Sequence, residues 1–209
     1  MSDAYLIPAG CGEAEHTEKK SRFIGQISPA ASASEAMAFV DSIRKKHPDA
    51  THNVWAYFLR DGGLRFSDDG EPGGTSGLPT LNVLKSAEVF DVCCVVTRYF
   101  GGILLGAGGL VRAYSKAASM ALAAAGVARM TQWSVLSILC AYPQYERVRR
   151  LLDDFGALDT EASFAAEVCV TARIPAETSD AFPPRLADAT AGGASCRETA
   201  RVFKPGPAS

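Results

Sequence analysis

One glycine-rich segment combines accessible backbone amides with positive charge, which is the chemistry of anion binding. Residues 98–115 read RYFGGILLGAGGLVRAYS, a run that holds five glycines within residues 101–109. Glycines leave N–H groups accessible, and a helix that begins after them adds the positive end of its dipole. Arg98 precedes the glycines, while Arg112 and Lys116 are four residues apart and so share a helix face. The predicted phosphate site consists of Arg98, Gly101, Gly102, Gly106, Gly108, Gly109, Arg112 and Lys116.

The spacing of these glycines differs from two common phosphate-binding motifs. A P-loop has Lys and then Ser or Thr after its last glycine, whereas Leu110 and Val111 follow Gly109 here. A dinucleotide fingerprint that starts at Gly106 needs a third glycine where Val111 stands. The pattern therefore indicates a phosphate contact whose mode of binding differs from that of both motifs. An alternative stays open, in which the glycines serve only a tight turn and close helix packing.

A second glycine-rich loop, SDDGEPGGTSG at residues 67–77, carries carboxylates. Paired carboxylates can hold Mg²⁺ beside a phosphate or act as acid and base. The same residue types are common in turns, and acidic groups before a helix favour its dipole, so a structural role is the alternative. The candidate residues of this loop are Asp68, Asp69, Glu71 and Thr75. We predict no catalytic residue, no metal site and no bound cofactor.

Composition excludes several classes of protein. The 209 residues are 47% hydrophobic and 21% charged, which is typical of a soluble globular protein. Because 21 basic residues face 23 acidic ones, attraction to nucleic acid must come from local clustering. The six cysteines form no C-x-x-C pair, which argues against zinc, and four of them lie in apolar runs, which favours a reducing compartment. With no secretory signal and no membrane-spanning apolar run, we expect a cytoplasmic protein without membrane contact.

Hydrophobic patterns outline the elements that must position the two loops. Before the second loop we predict a strand at 21–27, a helix at 32–48 with a Ser32/Glu35 capping box, and a hairpin of 53–61 with 64–69. A short helix at 81–90 and a buried strand at 91–100 lead to the glycine segment. A long helix then ends at Gly126, so the predicted N-terminal domain spans residues 1–126.

The remainder of the chain predicts a second domain at residues 132–204. Its elements, in chain order, are a strand at 133–142, a helix at 143–156, strands at 162–166 and 167–175, a helix within 177–193 and a strand at 194–203. The order β-α-β-β-α-β is that of the ferredoxin-like unit. Pro183 and Pro184 cannot lie inside a helix, so that helix must start at or after them or be broken there.

Three stretches make the chain resemble the YigZ/IMPACT family. They are KKSRFI at 19–24, the acidic loop within 67–79, and VVTRYFGGILLGAGGLVRAYS at 95–115. The resemblance covers most of the chain. It implies an α+β protein of two two-layer α/β domains. The N-terminal one would be similar to the second domain of small-subunit ribosomal protein five, and the C-terminal one would be ferredoxin-like.

The resemblance also implies a link to translation. Eukaryotic relatives modulate the kinase pathway that senses amino-acid starvation, but the ferredoxin-like second half is the bacterial arrangement, so we do not expect that activity here. We expect a non-catalytic regulator that binds RNA or the ribosome, with Lys19, Lys20 and Arg22 extending the phosphate surface. Tyr99 and Phe100 are candidate stacking residues, although we expect both to pack in the core.

Two other functions remain open at this point. The first is an enzyme that binds a small phosphate compound or a nucleotide on the glycine loop, with Asp68, Asp69 and Glu71 as magnesium ligands. The second is a protein-interaction module in which the glycine loop is only architectural.

Overall fold

The computed structural model describes residues 4–205, and the chain divides into two compact units. The first unit comprises Tyr5–Arg129, and the second begins at Met130. The predicted domain limits, residues 126 and 132, lie on either side of this division. No helix of the described residues is long and apolar enough to cross a membrane.

The first unit contains a five-stranded antiparallel sheet in the order β2-β3-β6-β4-β5. The strands of this unit are β1 (Tyr5–Pro8), β2 (Gly12–Glu18), β3 (Ser21–Pro29), β4 (His52–Phe58), β5 (Leu64–Ser67) and β6 (Val92–Tyr99). Its helices are α1 (Ala33–Lys46), α2 (Gly77–Ser86) and α3 (Ala107–Ala125). The chain then continues into the long strand β7 (Val127–Cys140).

Strand β6 is the centre of the first unit because both of its faces are buried. Val92, Cys94 and Val96 belong to the core formed with α2 and α3, whereas Cys93 and Val95 belong to the core formed with α1. This alternation explains the continuous apolar run of the strand. Helices therefore cover both faces of the sheet, so that α1 adds a third layer to the two that we expected.

The second unit is a ferredoxin-like domain. After β7 its elements are α4 (Tyr145–Asp154), β8 (Leu158–Phe164), β9 (Val168–Pro175), α5 (Phe182–Thr190) and β10 (Ala194–Pro205). The antiparallel order β10-β7-β9-β8 matches the predicted βαββαβ topology. Pro183 and Pro184 lie in the first turn of α5, where their missing N–H groups cost no intrahelical bond. The predicted α+β class with two domains is confirmed.

Candidate phosphate-binding surface

The glycine-rich segment forms an exposed loop and the first turn of α3. The loop runs over residues 100–106, and the helix begins at Ala107, so Gly108 and Gly109 belong to the helix rather than to the loop. Gly102 and Gly106 are exposed and have φ angles of 82° and 72°. L side chains rarely adopt such angles, which explains glycine at these two positions.

The N-terminus of α3 has no side-chain cap. Gly106 occupies the N-cap position without a side-chain hydrogen bond, and the first turn contains no acidic residue. The first helical bond is from the Leu110 amide to the Gly106 carbonyl, at 2.9 Å. The amides of Ala107, Gly108 and Gly109 precede it and have no acceptor within the helix. An anion at this end of the helix would meet these amides and the positive end of the dipole.

The turn between β2 and β3 brings two lysines to the start of this loop. A Cβ atom added at Gly101 would overlap the backbone carbonyl of Lys20, so the loop and the turn are in direct contact. The Gly101 amide also donates to the Ser21 hydroxyl at 3.1 Å. Lys19 and Lys20 are both exposed, with φ angles of 45° and 65°. The turn that carries these two exposed lysines therefore lies against the start of the glycine loop.

Two further cations of the predicted site are exposed on α3. Arg112 extends back over the first turn, since its Nη1 atom would lie 3.6 Å from a Cβ atom added at Gly108. Lys116 lies toward β2, where His16 has a lowered pKa because of burial and then because of the Lys116 charge. Arg112 thus lies over the first turn of α3, Lys116 lies about one turn beyond it, and the backbone of Lys20 contacts the start of the loop.

Arg98 and Arg22 differ from these four cations. Arg98 is buried, and it donates through Nη1 to Glu71 Oε1 at 2.6 Å and through Nη2 to Ser21 Oγ at 3.4 Å. It is therefore an internal link rather than an exposed contact. Arg22 is exposed, but its Nη2 donates to Glu15 Oε2 at 2.7 Å. Its charge is partly neutralised by the adjacent strand of its own sheet.

Asp68 of the second loop closes the N-terminus of α2. Its Oδ1 atom accepts from the amides of Ser76 at 3.1 Å and Gly77 at 2.8 Å, and its Oδ2 atom accepts from the Gly74 amide at 2.8 Å. Burial raises the pKa of Asp68, but the Ser76 hydroxyl and these amides outweigh it, so the net pKa is lowered. The carboxylate is used as a helix cap.

Asp69 and Glu71 are also engaged within the fold. Asp69 Oδ2 accepts from the Asn53 amide at 2.7 Å. Glu71 accepts from Arg98 and, at 2.7 Å, from the hydroxyl of Tyr114, whose pKa is raised first by burial and then by this bond.

Nothing in this loop forms a metal site. The Thr75 hydroxyl donates to the carbonyl of Pro72 at 2.6 Å, so it too is used within the loop. Within residues 4–205, no group of three or more His, Cys, Asp or Glu side chains is arranged to hold a metal ion. Each candidate side chain of this loop therefore has a structural partner.

The loop also exposes apolar side chains that sequence reasoning missed. Phe100 is 46% exposed, Ile103 is 41% exposed and Leu104 is 83% exposed. The prediction that Phe100 packs in the core is wrong, because β6 ends at Tyr99 and Phe100 is the first residue of the loop. The end of the buried strand could have indicated that Phe100 lies outside the core. The apolar character of its side chain, taken alone, favoured a position in the core.

Comparison with known proteins gives matches over both units. Residues 19–122 match the model described as Impact N-terminal domain, and residues 138–192 match a Domain of unknown function (DUF1949). The chain is 36% identical over 200 residues to IMPACT family member YvyE of Bacillus subtilis (strain 168), covering 95% of this chain and 92% of that protein. It is 37% identical over 194 residues to IMPACT family member YigZ of Escherichia coli (strain K12), covering 91% and 95%.

A eukaryotic relative matches less than half of the chain, and a solved structure matches nearly all of it. The Protein IMPACT homolog of Dictyostelium discoideum is 40% identical over 97 residues, which are 43% of this chain and 27% of that protein. The solved structure, described as the crystal structure of an hypothetical protein, is 35% identical with a TM-score of 0.61, covering 96% of this chain and 98% of that one.

Proposed function

Since this chain belongs to the IMPACT family, we propose that it is a non-catalytic regulator associated with translation that binds RNA or the ribosome through phosphate groups. The observation that carries the proposal is the uncapped, exposed N-terminus of α3 beside exposed cations. The link to translation rests on the resemblance to the family, and the phosphate chemistry rests on this surface.

The surface has the properties of a sequence-independent phosphate contact. Lys19, Lys20, Arg112 and Lys116 contribute positive charge to a chain whose net charge is −2, so attraction is local rather than global. Amides and cations neutralise phosphates without contacting base edges. Binding should therefore be weakly sequence-specific and should fall steeply as salt rises.

The magnesium-dependent enzyme has less support than RNA binding. Asp68, Asp69 and Glu71 all accept hydrogen bonds from the protein, and they do so from different elements. A metal ion would have to compete with these donors for the carboxylate oxygens. A binding experiment with Arg112→Glu distinguishes RNA binding from a purely architectural role of the glycine loop.

The test is filter binding of a structured RNA and of ribosomes at increasing salt, with wild-type protein and with Arg112→Glu. We expect Arg112→Glu to weaken binding severalfold and to reduce the salt slope by about one, because one phosphate contact is lost. Its thermal unfolding should match the wild type, since Arg112 is exposed.

Arg65→Glu is the matched control, because Arg65 is exposed on β5, the edge strand opposite β2. It makes the same change of charge and should leave binding within about twofold of wild type. Absence of wild-type binding at low salt would refute the proposal. Equal losses in the two variants would also refute it, because they would show attraction to net charge rather than to this surface.

A further inference from the structure

Phe100 is a half-exposed aromatic side chain, and a buried cation lies over its ring. Its side chain stands where β6 meets the glycine loop and is 46% exposed. The Cζ atom of Arg98 lies 5.4 Å from the ring centroid. The Phe100 amide donates to the Thr51 hydroxyl at 3.0 Å, which fixes the backbone at this residue. The ring is thus an exposed surface feature with a defined position.

The cation beneath the ring is itself fixed. Arg98 donates to Glu71 and to Ser21, and Glu71 also accepts from Tyr114 on α3. The side chains of Arg98 and Glu71 are 6% and 3% exposed, so neither exchanges freely with water. A ring that rests on an immobilised guanidinium loses little freedom when a ligand stacks on it. The buried ion pair therefore supports a preformed stacking platform.

The surroundings of the Phe100 ring favour a nucleotide as the ligand that binds there. Gly101, the next residue, rests on the backbone of Lys20, so phosphate-binding groups begin beside the platform. A nucleotide offers both a π-face and a phosphate, whereas a base inside a duplex has both faces covered. We propose that Phe100 stacks on an unpaired base, and that the RNA bound here is single-stranded at this point. This inference rests on the proposed function and adds the class of RNA to it.

The experiment is fluorescence anisotropy with an oligouridylate and with a duplex RNA of equal length, at about 50 mM salt, where phosphate contacts are strong. Phe100→Leu keeps apolar bulk but removes the π-face, and Phe100→Trp keeps the π-face. We expect Phe100→Leu to weaken oligouridylate binding on the order of tenfold and to leave duplex binding unchanged. Phe100→Trp should bind the oligouridylate as tightly as wild type.

Two control variants separate stacking from general apolar contact. Leu104→Ala removes the most exposed apolar side chain of the same loop, and Phe66→Leu removes a ring that is 40% exposed on β5. Neither should change oligouridylate binding by more than about twofold, because neither removes the π-face that stacks. Thermal unfolding of each variant verifies that it is folded, and the four variants and the wild type are all compared as the full chain.

The outcomes distinguish this inference from the function on which it rests. If the wild type binds neither RNA, both fail. If it binds both RNAs equally and Phe100→Leu has no effect, phosphate binding stands and stacking is refuted. If Leu104→Ala weakens binding as much as Phe100→Leu does, the loop buries apolar area against its partner without a specific π-face, and stacking is again refuted.

Discussion

The helices α2 and α3 both begin after a glycine-rich loop, but their N-termini are satisfied in opposite ways. Asp68 reaches from the preceding loop to the first amides of α2 and closes that end. At α3 the N-cap is Gly106, which has no side chain with which to accept. Since both loops are rich in glycine, glycine content alone does not show whether the helix amides that follow are satisfied internally or stay open. The presence or absence of an internal acceptor makes that distinction.

The buried pair of Arg98 on β6 and Glu71 in the acidic loop should show the largest effect when it is broken. Glu71→Gln removes the charge opposite Arg98 and leaves a buried guanidinium without its counterion. We expect the free energy of unfolding to fall by about 3–5 kcal/mol, as measured by urea denaturation. Glu15→Gln, which breaks the exposed pair with Arg22, should cost little because water screens that pair. If Glu71→Gln and Glu15→Gln lost similar amounts of unfolding free energy, the buried pair would have no special role in stability.

Removing the acceptor at α2 should have a smaller effect. Asp68→Asn replaces one of the two accepting carboxylate oxygens with an amide NH2 group, which donates. This group would face either the Gly74 amide or the amides of Ser76 and Gly77. At neutral pH the free energy of unfolding should fall by about 1–2 kcal/mol, the usual cost of a lost cap. An unchanged unfolding midpoint in urea would mean that the α2 terminus does not need this carboxylate, and the contrast with α3 would disappear.

The Asp68 contribution should also depend on pH. Hydrogen bonds hold its pKa in the folded protein below its ordinary value of 3.8. Its stabilisation is therefore complete above that value and is lost as pH falls through the folded pKa. The stability difference between wild type and Asp68→Asn should be constant near neutrality and should narrow below about pH 4. A stability difference between wild type and Asp68→Asn that widened as the pH fell would contradict the role of ionised Asp68 as the cap of α2.

Supplying an acceptor at α3 should have the smallest effect on stability and a clear one on binding. Ala107→Asp places a carboxylate at the first helical residue, where the dipole favours negative charge. We expect the free energy of unfolding to rise by about 0.5 kcal/mol and RNA affinity to fall severalfold. Ala124→Asp, in the last turn of the same helix, is the matched control and should lower stability slightly without changing affinity. A destabilised Ala107→Asp variant with normal affinity would refute the open-terminus interpretation.

The sequence predicted most elements because their patterns were strongly periodic or clearly punctuated. The Ser32 cap of α1 is confirmed, with the Glu35 amide donating to its hydroxyl at 3.2 Å. Two strands were missed. Strand β2 reads GEAEHTE, which has neither β-branched nor apolar periodicity, and it forms because β3 supplies the hydrogen-bonding partner. Strand β1, with four residues, was too short to leave a pattern.

The candidate site was predictable in part. Glycine, lysine and arginine positions located the loop, but charge alone did not show which cations stay exposed. Arg98 follows the alternation of a buried strand, and only the fold reveals that Glu71, 27 residues earlier, is its partner. Contacts between residues so far apart in sequence depend on topology, which no local pattern contains.

The turn at Lys19 and Lys20 has one more consequence. Two-residue hairpin turns with left-handed backbone at both positions favour Asn-Gly, because other residues are strained there. This hairpin places lysines at both, with φ angles of 45° and 65°. An Asn-Gly turn would relieve this strain but would remove two exposed lysines where the Lys20 backbone contacts Gly101. The phosphate-binding surface proposed above would account for keeping strained, charged residues at this turn.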